Sequence, residues 1–157
     1  MMKRYLYIAL LCACAMLGSV TNATAQLYHG DIVTISSGTN YLAVNGNNIA
    51  RVQNNPTINC LWKVVKEGDN YSFESVSSVG KYLYVYKDRN NYTLRLGAIA
   101  AFTISTTQSD DNKSIGKLYN TAQKRYIRYR SNSWQTTDQN REASSLTIEK
   151  WTRVETT

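Results

Sequence analysis

The chain has 157 residues, a formal net charge of +7 at pH 7 and three cysteines. Its length fits one domain that is large enough to bury a core without disulfide bonds. No apolar stretch after residue 17 is long enough to span a membrane, so the sequence excludes a multi-spanning membrane protein and a disulfide-rich scaffold.

The first 25 residues have the pattern of a secretory signal peptide. Two basic residues precede an apolar run, residues 5–17, that is too short to span a membrane comfortably. The small residues of ATA, residues 23–25, then supply a cleavage site. We therefore predict a mature chain of residues 26–157 that is secreted or held at the cell surface, and the style of the leader indicates a bacterial protein.

The cysteines leave one alternative open for the leader. The segment LCAC, which ends at Cys14, loosely resembles a lipoprotein processing box, and cleavage there would leave Cys14 as a lipid anchor. Ordinary cleavage leaves Cys60 alone, and we predict that it is a small buried hydrophobe, with intermolecular pairing as the alternative. The mature chain keeps 16 basic against 11 acidic residues, and its charge of +5 favours anionic surfaces.

Eleven short segments have the composition and the period-two alternation of β-strands. They are separated by clusters of Gly, Asn, Ser and Asp, and strongly helical periodicity is absent. The spacing therefore predicts an all-β sandwich or barrel. In chain order the segments are DIVTIS, NYLAVN, LWKVVK, YSFES, KYLYVY, TLRLG, AFTIS, GKLYN, RYIRY, SWQTT and LTIEK.

Three copies of one pattern occur in the mature chain. Corresponding tyrosines lie 41 and 44 residues apart, and corresponding bulky residues lie 40 and 44 residues apart. Three repeats, approximately 28–66, 67–107 and 108–152, would give about twelve strands closing around a pseudo-threefold axis. The corresponding residues are Tyr41, Tyr82 and Tyr126, and Trp62, Phe102 and Leu146.

The segment LWKVVKEGDNYSFESVSSVGKYLYV carries a family resemblance. It combines a Trp-containing strand, a Gly/Asp turn, a Tyr/Phe strand and a GKYL corner. In this order it resembles the repeats of the β-trefoil superfamily, in particular the ricin-type lectins and the fascin-like proteins. The resemblance covers essentially the whole mature chain, and it implies a single β-trefoil domain at residues 26–157.

Strand alternation in the three corner strands assigns their faces. The inward positions are expected to be Leu42, Val44, Leu83, Val85, Ile127 and Tyr129. The outward positions are expected to be Tyr41, Ala43, Asn45, Tyr82, Tyr84, Tyr86, Tyr126, Arg128 and Arg130. Further core residues are expected to be Val33, Ile35, Trp62, Val64, Tyr71, Phe73, Phe102, Ile104, Ile115, Leu118, Leu146 and Ile148.

Enzymatic constellations are poor. The single histidine, His29, lies close to the mature N-terminus, and no Ser or Cys has a plausible His partner. Cys and His are too few for a zinc site. Asp110 and Asp111 lie in the polar cluster SDDNKS between strands, where such residues serve turns. We therefore predict a non-enzymatic protein without a metal or another cofactor.

The resemblance implies shallow sugar pockets on the outer surface of the repeats, where aromatic rings stack on a pyranose. Several such pockets would add avidity. The candidate ligand-binding residues are Tyr82, Tyr84, Tyr86 and Tyr92 in repeat two, and Tyr126, Arg128, Arg130 and Trp134 in repeat three. The alternative is that the outward tyrosines only satisfy the preference of strands for aromatic residues.

The chain departs from the ricin-type pattern at the sugar site. The Asp that holds a sugar hydroxyl in that family is replaced by Ala43, Tyr84 and Arg128 in the three copies. The Gln of the family's Gln-x-Trp signature is missing from all three copies, and so are its paired cysteines. The fold is therefore carried over and the galactose-type site is not. Arginine at this position indicates an acidic or sulfated glycan as the partner.

Two other classes of function stay open. A protease inhibitor could present the predicted long loop Asn45 to Asn59, which contains Arg51 and Pro56, and a general protein-interaction module is a related alternative. Nucleic acid is disfavoured, although residues 113–130 carry six cations with interleaved tyrosines, because secreted proteins rarely meet it. We therefore predict a secreted, lectin-like carbohydrate-binding module.

Overall fold

A computed structural model describes residues 27–151 of the chain. The predicted signal peptide and the alternative lipid site at Cys14 lie outside the described residues. Within them the chain forms twelve β-strands and two short 3-10 helices, η1 (Ile58–Cys60) and η2 (Asn140–Glu142). The strands are β1 Ile32–Ser37, β2 Asn40–Asn45, β3 Asn48–Gln53, β4 Trp62–Glu67, β5 Asn70–Ser75, β6 Tyr82–Asp88, β7 Asn91–Gly97, β8 Phe102–Ser109, β9 Lys113–Asn120, β10 Arg125–Arg130, β11 Ser133–Thr137 and β12 Leu146–Lys150.

The strands fall into three sets of four with the same antiparallel pairing. In each set the first strand pairs with the second and the fourth, and the second pairs with the third. Pairings β4–β5, β8–β9 and β12–β1 join the sets, so the first and fourth strands close a ring of six. A single β3–β7 pairing adds a longer closed path of nine strands, with β4, β10 and β11 outside it.

The core lies inside this ring and under the three hairpins. Trp62, Phe102 and Leu146 are fully buried at equivalent positions, the first residue of β4, β8 and β12, as the repeat alignment predicts. The indole Nε1 of Trp62 donates to the carbonyl of Leu42 at 3.0 Å, so this buried polar atom is satisfied. Most of the predicted core is buried. Ile104, Ile115 and Tyr129 are half-buried instead.

Two predictions about repeat one are wrong. The expected long loop from Asn45 contains β3, which pairs with β2 along its whole length. Its Asn- and Arg-rich composition hid the strand, and pairing with a neighbour overrode the weak local preference. Ala43, expected to point to solvent, is fully buried, because η1 packs against β2 and covers its outer face. The connection that remains, residues 54–61, is shorter than the loop we expected.

Two smaller predictions about single residues are confirmed. Asp110 serves a turn, because its Oδ1 accepts from the backbone amides of Asn112 at 2.8 Å and Lys113 at 2.9 Å. These two hydrogen bonds lower the pKa of the Asp110 carboxyl. Cys60 is a free, fully buried thiol. Among the described residues, no helix has both the length and the apolar character needed to cross a membrane.

Candidate functional site

Each repeat presents one hairpin on the outside of the barrel: hairpin 1 (β2–β3), hairpin 2 (β6–β7) and hairpin 3 (β10–β11). The register of the strands shows that one cross-strand pair is equivalent in all three. The two residues of such a pair point to the same face of the hairpin, with neighbouring side chains. The equivalent pairs are Ala43–Ala50, Tyr84–Arg95 and Arg128–Gln135. Of these three pairs, only that of hairpin 2 therefore combines an aromatic ring with a cation.

Hairpin 2 is longer than the other two, and the connection after it is shorter. Its last pair, Asp88–Asn91, lies four pairs beyond Tyr84–Arg95. In hairpins 1 and 3 the last pair lies only two pairs beyond the equivalent pair. Only residues 98–101 connect β7 to β8, whereas residues 54–61 and 138–145 form the corresponding connections and contain η1 and η2. Compared with the other two repeats, the hairpin is thus four residues longer and the connection after it is four residues shorter. No 3-10 helix is left to cover the outer face of hairpin 2.

The uncovered face forms a groove of about 600 Å³. Its walls include Tyr84, Tyr86 and Arg95 of hairpin 2, together with Lys81 before β6 and Asn47 from the turn of hairpin 1. The shape of the groove floor requires a glycine at position 97. A Cβ atom there would lie 2.8 Å from Cγ of Tyr84, closer than real contacts allow. A glycine at this position lets the Tyr84 ring lie against the β7 backbone.

The groove is cationic. The guanidinium of Arg95 lies 4.0 Å from the centre of the Tyr86 ring, and Tyr86 is 37% exposed. Lys81 Nζ donates to Oδ1 of Asn47 at 2.6 Å, which joins repeat one to repeat two. No acidic residue lines the groove, and within residues 27–151 no carboxylate forms an ion pair with Arg95 or Lys81. The groove therefore offers aromatic faces and unneutralised donors together.

The structure divides the predicted residues of repeat two. Tyr84 and Tyr86 line the groove, and the half-buried Tyr82 lies on the same face at the base of the hairpin. Tyr92 belongs to the opposite face, because it pairs in register with Lys87. The Arg125 guanidinium lies 3.7 Å from the centre of its ring, and hydrogen bonding from Arg125 and Lys87 lowers the pKa of Tyr92. Tyr92 is therefore separated from the other three tyrosines.

In repeat three the cation at the equivalent position is already neutralised. Arg128 Nη1 lies 2.9 Å from Oε2 of Glu142, and its Nε donates to Oε1 of Gln135 at 3.0 Å. The same Glu142 oxygen accepts from Oγ1 of Thr137 at 3.0 Å. Glu142 belongs to η2, so a side chain of this helix lies against the outer face of hairpin 3 and pairs with its cation. Arg128 is accordingly half-buried.

The other predicted residues of repeat three do not form a row. Trp134 is 9% exposed, and its Nε1 donates to the carbonyl of Tyr41 at 3.2 Å, so it belongs to the core under the hairpins. The ring of Tyr126 packs on Tyr119 with centres 4.6 Å apart. Arg130 is exposed near the turn. We therefore leave Trp134 out of the candidate site.

Sequence reasoning missed Arg95 and Lys81. The signal for Arg95 was present, because it stands between two leucines in TLRLG and must point away from them. The register that places it beside Tyr84 depends on the position of the hairpin turn, which the spacing did not reveal. Within the described residues, no three His, Cys, Asp or Glu side chains could together hold a metal ion.

Comparison with known proteins is informative at the level of structure only. No family model matches the sequence, and no curated protein matches it significantly. A Macrolepiota procera ricin B-like lectin in complex with lactose is 14% identical, with a TM-score of 0.62, over 83% of this chain and 99% of that one. A BEL beta-trefoil is 12% identical, with a TM-score of 0.64, over 84% of this chain and 100% of that one.

A salivary protein from Culex quiquefasciatus, of the Cysteine and Tryptophan-Rich family, is 15% identical with a TM-score of 0.62. The match covers 83% of this chain and 100% of the salivary protein. Identities this low show a shared fold and not a shared activity. The resemblance found in the sequence is confirmed at that level: the chain has the β-trefoil fold, which it shares with a ricin B-like lectin.

Proposed function

We propose that this protein is a lectin-like carbohydrate-binding module and that the groove on hairpin 2 is its binding site. The observation that carries the proposal is the uncovered pair of rings, Tyr84 and Tyr86, beside the cations of Arg95 and Lys81, which form no ion pair within the described residues. Hairpins 1 and 3 lack such a surface, because η1 packs against β2 and the Glu142 side chain of η2 pairs with Arg128. The complex of the similar Macrolepiota procera lectin with lactose agrees with this proposal.

The chemistry of the groove suits a sugar ring. A pyranose has an apolar face of C–H groups that can pack on an aromatic ring, and hydroxyls at its edge that need hydrogen-bond partners. Tyr86 is exposed enough to accept such a face, while Asn47, Lys81 and Arg95 provide amide, ammonium and guanidinium groups around it. The volume of about 600 Å³ lies within the range of small-molecule sites.

A glycan array with the purified protein tests the proposal. We expect specific binding to at least one glycan class, and we expect Tyr86→Ala to reduce it by about tenfold, since stacking and aromatic burial contribute on the order of 1 kcal/mol or more. Tyr28→Ala is a matched control, because Tyr28 is also an exposed tyrosine beside a cation. Its ring centre lies 5.0 Å from the ammonium of Lys150. Absence of binding to every printed glycan would refute the proposal.

The proposed activity is binding without catalysis, by a protein that the predicted leader directs out of the cell. A second candidate, a protein-interaction module, has one observation in its favour. Val79 and Ile99 are 83% and 57% exposed, and each is adjacent in sequence to a residue that lines the groove. An apolar rim of this kind also suits a protein surface. A negative array together with capture of a defined protein partner that Tyr86→Ala abolishes would favour this candidate.

A further inference from the structure

We infer that the groove on hairpin 2 selects acidic sugars, and that the acidic group of the ligand, a carboxylate or a sulfate, binds between Arg95 and Lys81. This inference rests on the proposed function, since it names the class of glycan that the same groove takes. Repeat two and repeat three have the same strand pairing, but only in repeat three does an η helix follow the hairpin.

Repeat three contains its own anion at the equivalent place. The Glu142 carboxylate, carried by η2, lies over the outer face of hairpin 3. One of its oxygens accepts from both Arg128 and Thr137. Charge-assisted hydrogen bonds of this type are among the stronger polar contacts in proteins. The outer face of a hairpin of this fold, once it carries a cation, can therefore hold a carboxylate.

Repeat two keeps the cation and lacks the acid. Arg95 occupies the equivalent cross-strand pair, on β7 instead of the first hairpin strand, and no η helix follows to supply a carboxylate. Gly97 stands where repeat three has Thr137, since these residues pair with Tyr82 and Tyr126 respectively. The Tyr84 ring fills the space beside Gly97, since a Cβ atom there would lie 2.8 Å from Cγ of Tyr84. Because no η helix lies over this ring and Arg95, the groove beside them is open to a ligand.

The charges around the groove support an anion. The three side-chain ion pairs of the described chain involve Arg125, Arg128 and Lys150, and none involves Arg95 or Lys81. Arg95 is held over the Tyr86 ring, so its planar fork is oriented before a ligand arrives and loses little freedom on binding. Lys81 is held by the neutral oxygen of Asn47, and the nearby Glu74 carboxylate accepts from the backbone amide of Gly80 instead of pairing with this ammonium.

The test is a glycan array of matched pairs. Each glycan that ends in a uronic or sialic acid is printed beside its carboxyl-reduced form, and each sulfated glycan beside its unsulfated form. We expect the acidic member of a pair to bind about tenfold or more tightly, the gain of one or two charge-assisted hydrogen bonds. The carboxylate and sulfate arms identify which acidic group the groove accepts. Arg95→Gln should remove the preference, and Arg141→Gln, an equal change of charge on η2, should preserve it.

The outcomes separate the two proposals. Equal binding of acidic and neutral members, with binding still lost in Tyr86→Ala, overturns the acidic preference and leaves the carbohydrate site in place. Loss of the preference in Arg141→Gln as much as in Arg95→Gln overturns it too, because the effect would then follow net charge. No binding of any glycan overturns the proposed function itself. Arg95 is exposed, so its replacement is not expected to prevent folding, and circular dichroism of each variant checks this.

Discussion

The guanidinium of Arg95 lies 4.0 Å from the centre of the Tyr86 ring, on the outer face of one hairpin. The two residues belong to neighbouring strands and do not pair directly, since Arg95 pairs with Tyr84 and Tyr86 with Thr93. Their contact is therefore a diagonal one across the strands, which aromatic and long side chains can reach. It holds a cation over an aromatic ring at the edge of an uncovered groove.

Replacement of Gly97 tests how the groove is built. Gly97→Ala places a Cβ atom 2.8 Å from Cγ of Tyr84, so the ring must move. We expect a loss of roughly 1–3 kcal/mol in the free energy of unfolding, typical of overpacking, together with weaker glycan binding. Denaturant unfolding and array binding measure the two effects. In the Tyr84→Ala background the alanine should cost much less, because the clashing ring is gone; an equal cost in both backgrounds would contradict the geometry.

The number of binding sites tests the difference between the repeats. We expect one glycan site per chain, because hairpin 1 carries the Ala43–Ala50 pair under η1 and hairpin 3 has its cation occupied by Glu142. Isothermal titration calorimetry with a monovalent glycan measures this number directly. A stoichiometry of two or three would show that the covered hairpins also bind, and Tyr86→Ala would then leave part of the binding intact.

Substitution of Trp62 tests the equivalence of the three core positions. Trp62→Phe keeps an aromatic ring but removes the indole donor to the buried carbonyl of Leu42, so we expect a loss of about 1–3 kcal/mol. Phe102→Leu installs the residue that repeat three uses at the equivalent position, and because it leaves no buried polar group without a partner we expect it to cost less than Trp62→Phe. Thermal or urea unfolding compares them. A smaller cost for Trp62→Phe than for Phe102→Leu would argue against the role of this hydrogen bond.

The turn at Asp110 predicts a pH dependence of stability. Two backbone amides hold the pKa of the folded carboxyl below its usual value of 3.8, so the turn contributes stability above that value. The contribution is lost as the pH falls through the lowered pKa of the folded state, because protonation removes the charged acceptor. Asp110→Asn should abolish this part of the acid sensitivity. Unfolding measured from neutral to acidic pH tests it, and Asp111→Asn is the control from the next residue.

The pair Tyr92 and Arg125 predicts one unusual tyrosine. Hydrogen bonding from Arg125, and then from Lys87, lowers the pKa of Tyr92 from the ordinary value of 10.0. Tyrosine absorbance should therefore show one phenol that ionises at lower pH than a normal tyrosine. Arg125→Gln should move that transition upward, toward the ordinary value, because it removes the largest cause of the shift. An unchanged titration curve in this variant would mean that the low-pH phenol belongs to another tyrosine.

The residue pattern alone was enough to predict eleven of the twelve strands, the three repeats and most of the core. Alternation with a period of two assigns each strand residue to one face, and three similar copies imply three equivalent packings; these are local properties of the chain. For this reason the residue pattern alone is enough to align Trp62, Phe102 and Leu146, and to assign the outward direction of Tyr84 and Tyr86.

Which of the outward residues form a site follows from the packing of distant segments. Ala43 and Tyr84 have the same place in the alignment, yet one is covered and the other lines a groove, because η1 packs over the first and no such helix follows the second. Arg95 joins Tyr84 through a strand register set by the hairpin turn, and Trp134 is buried under neighbouring hairpins. Whether an outward residue is covered, and which residue it pairs with, depend on segments distant along the chain. Strand periodicity does not describe those segments.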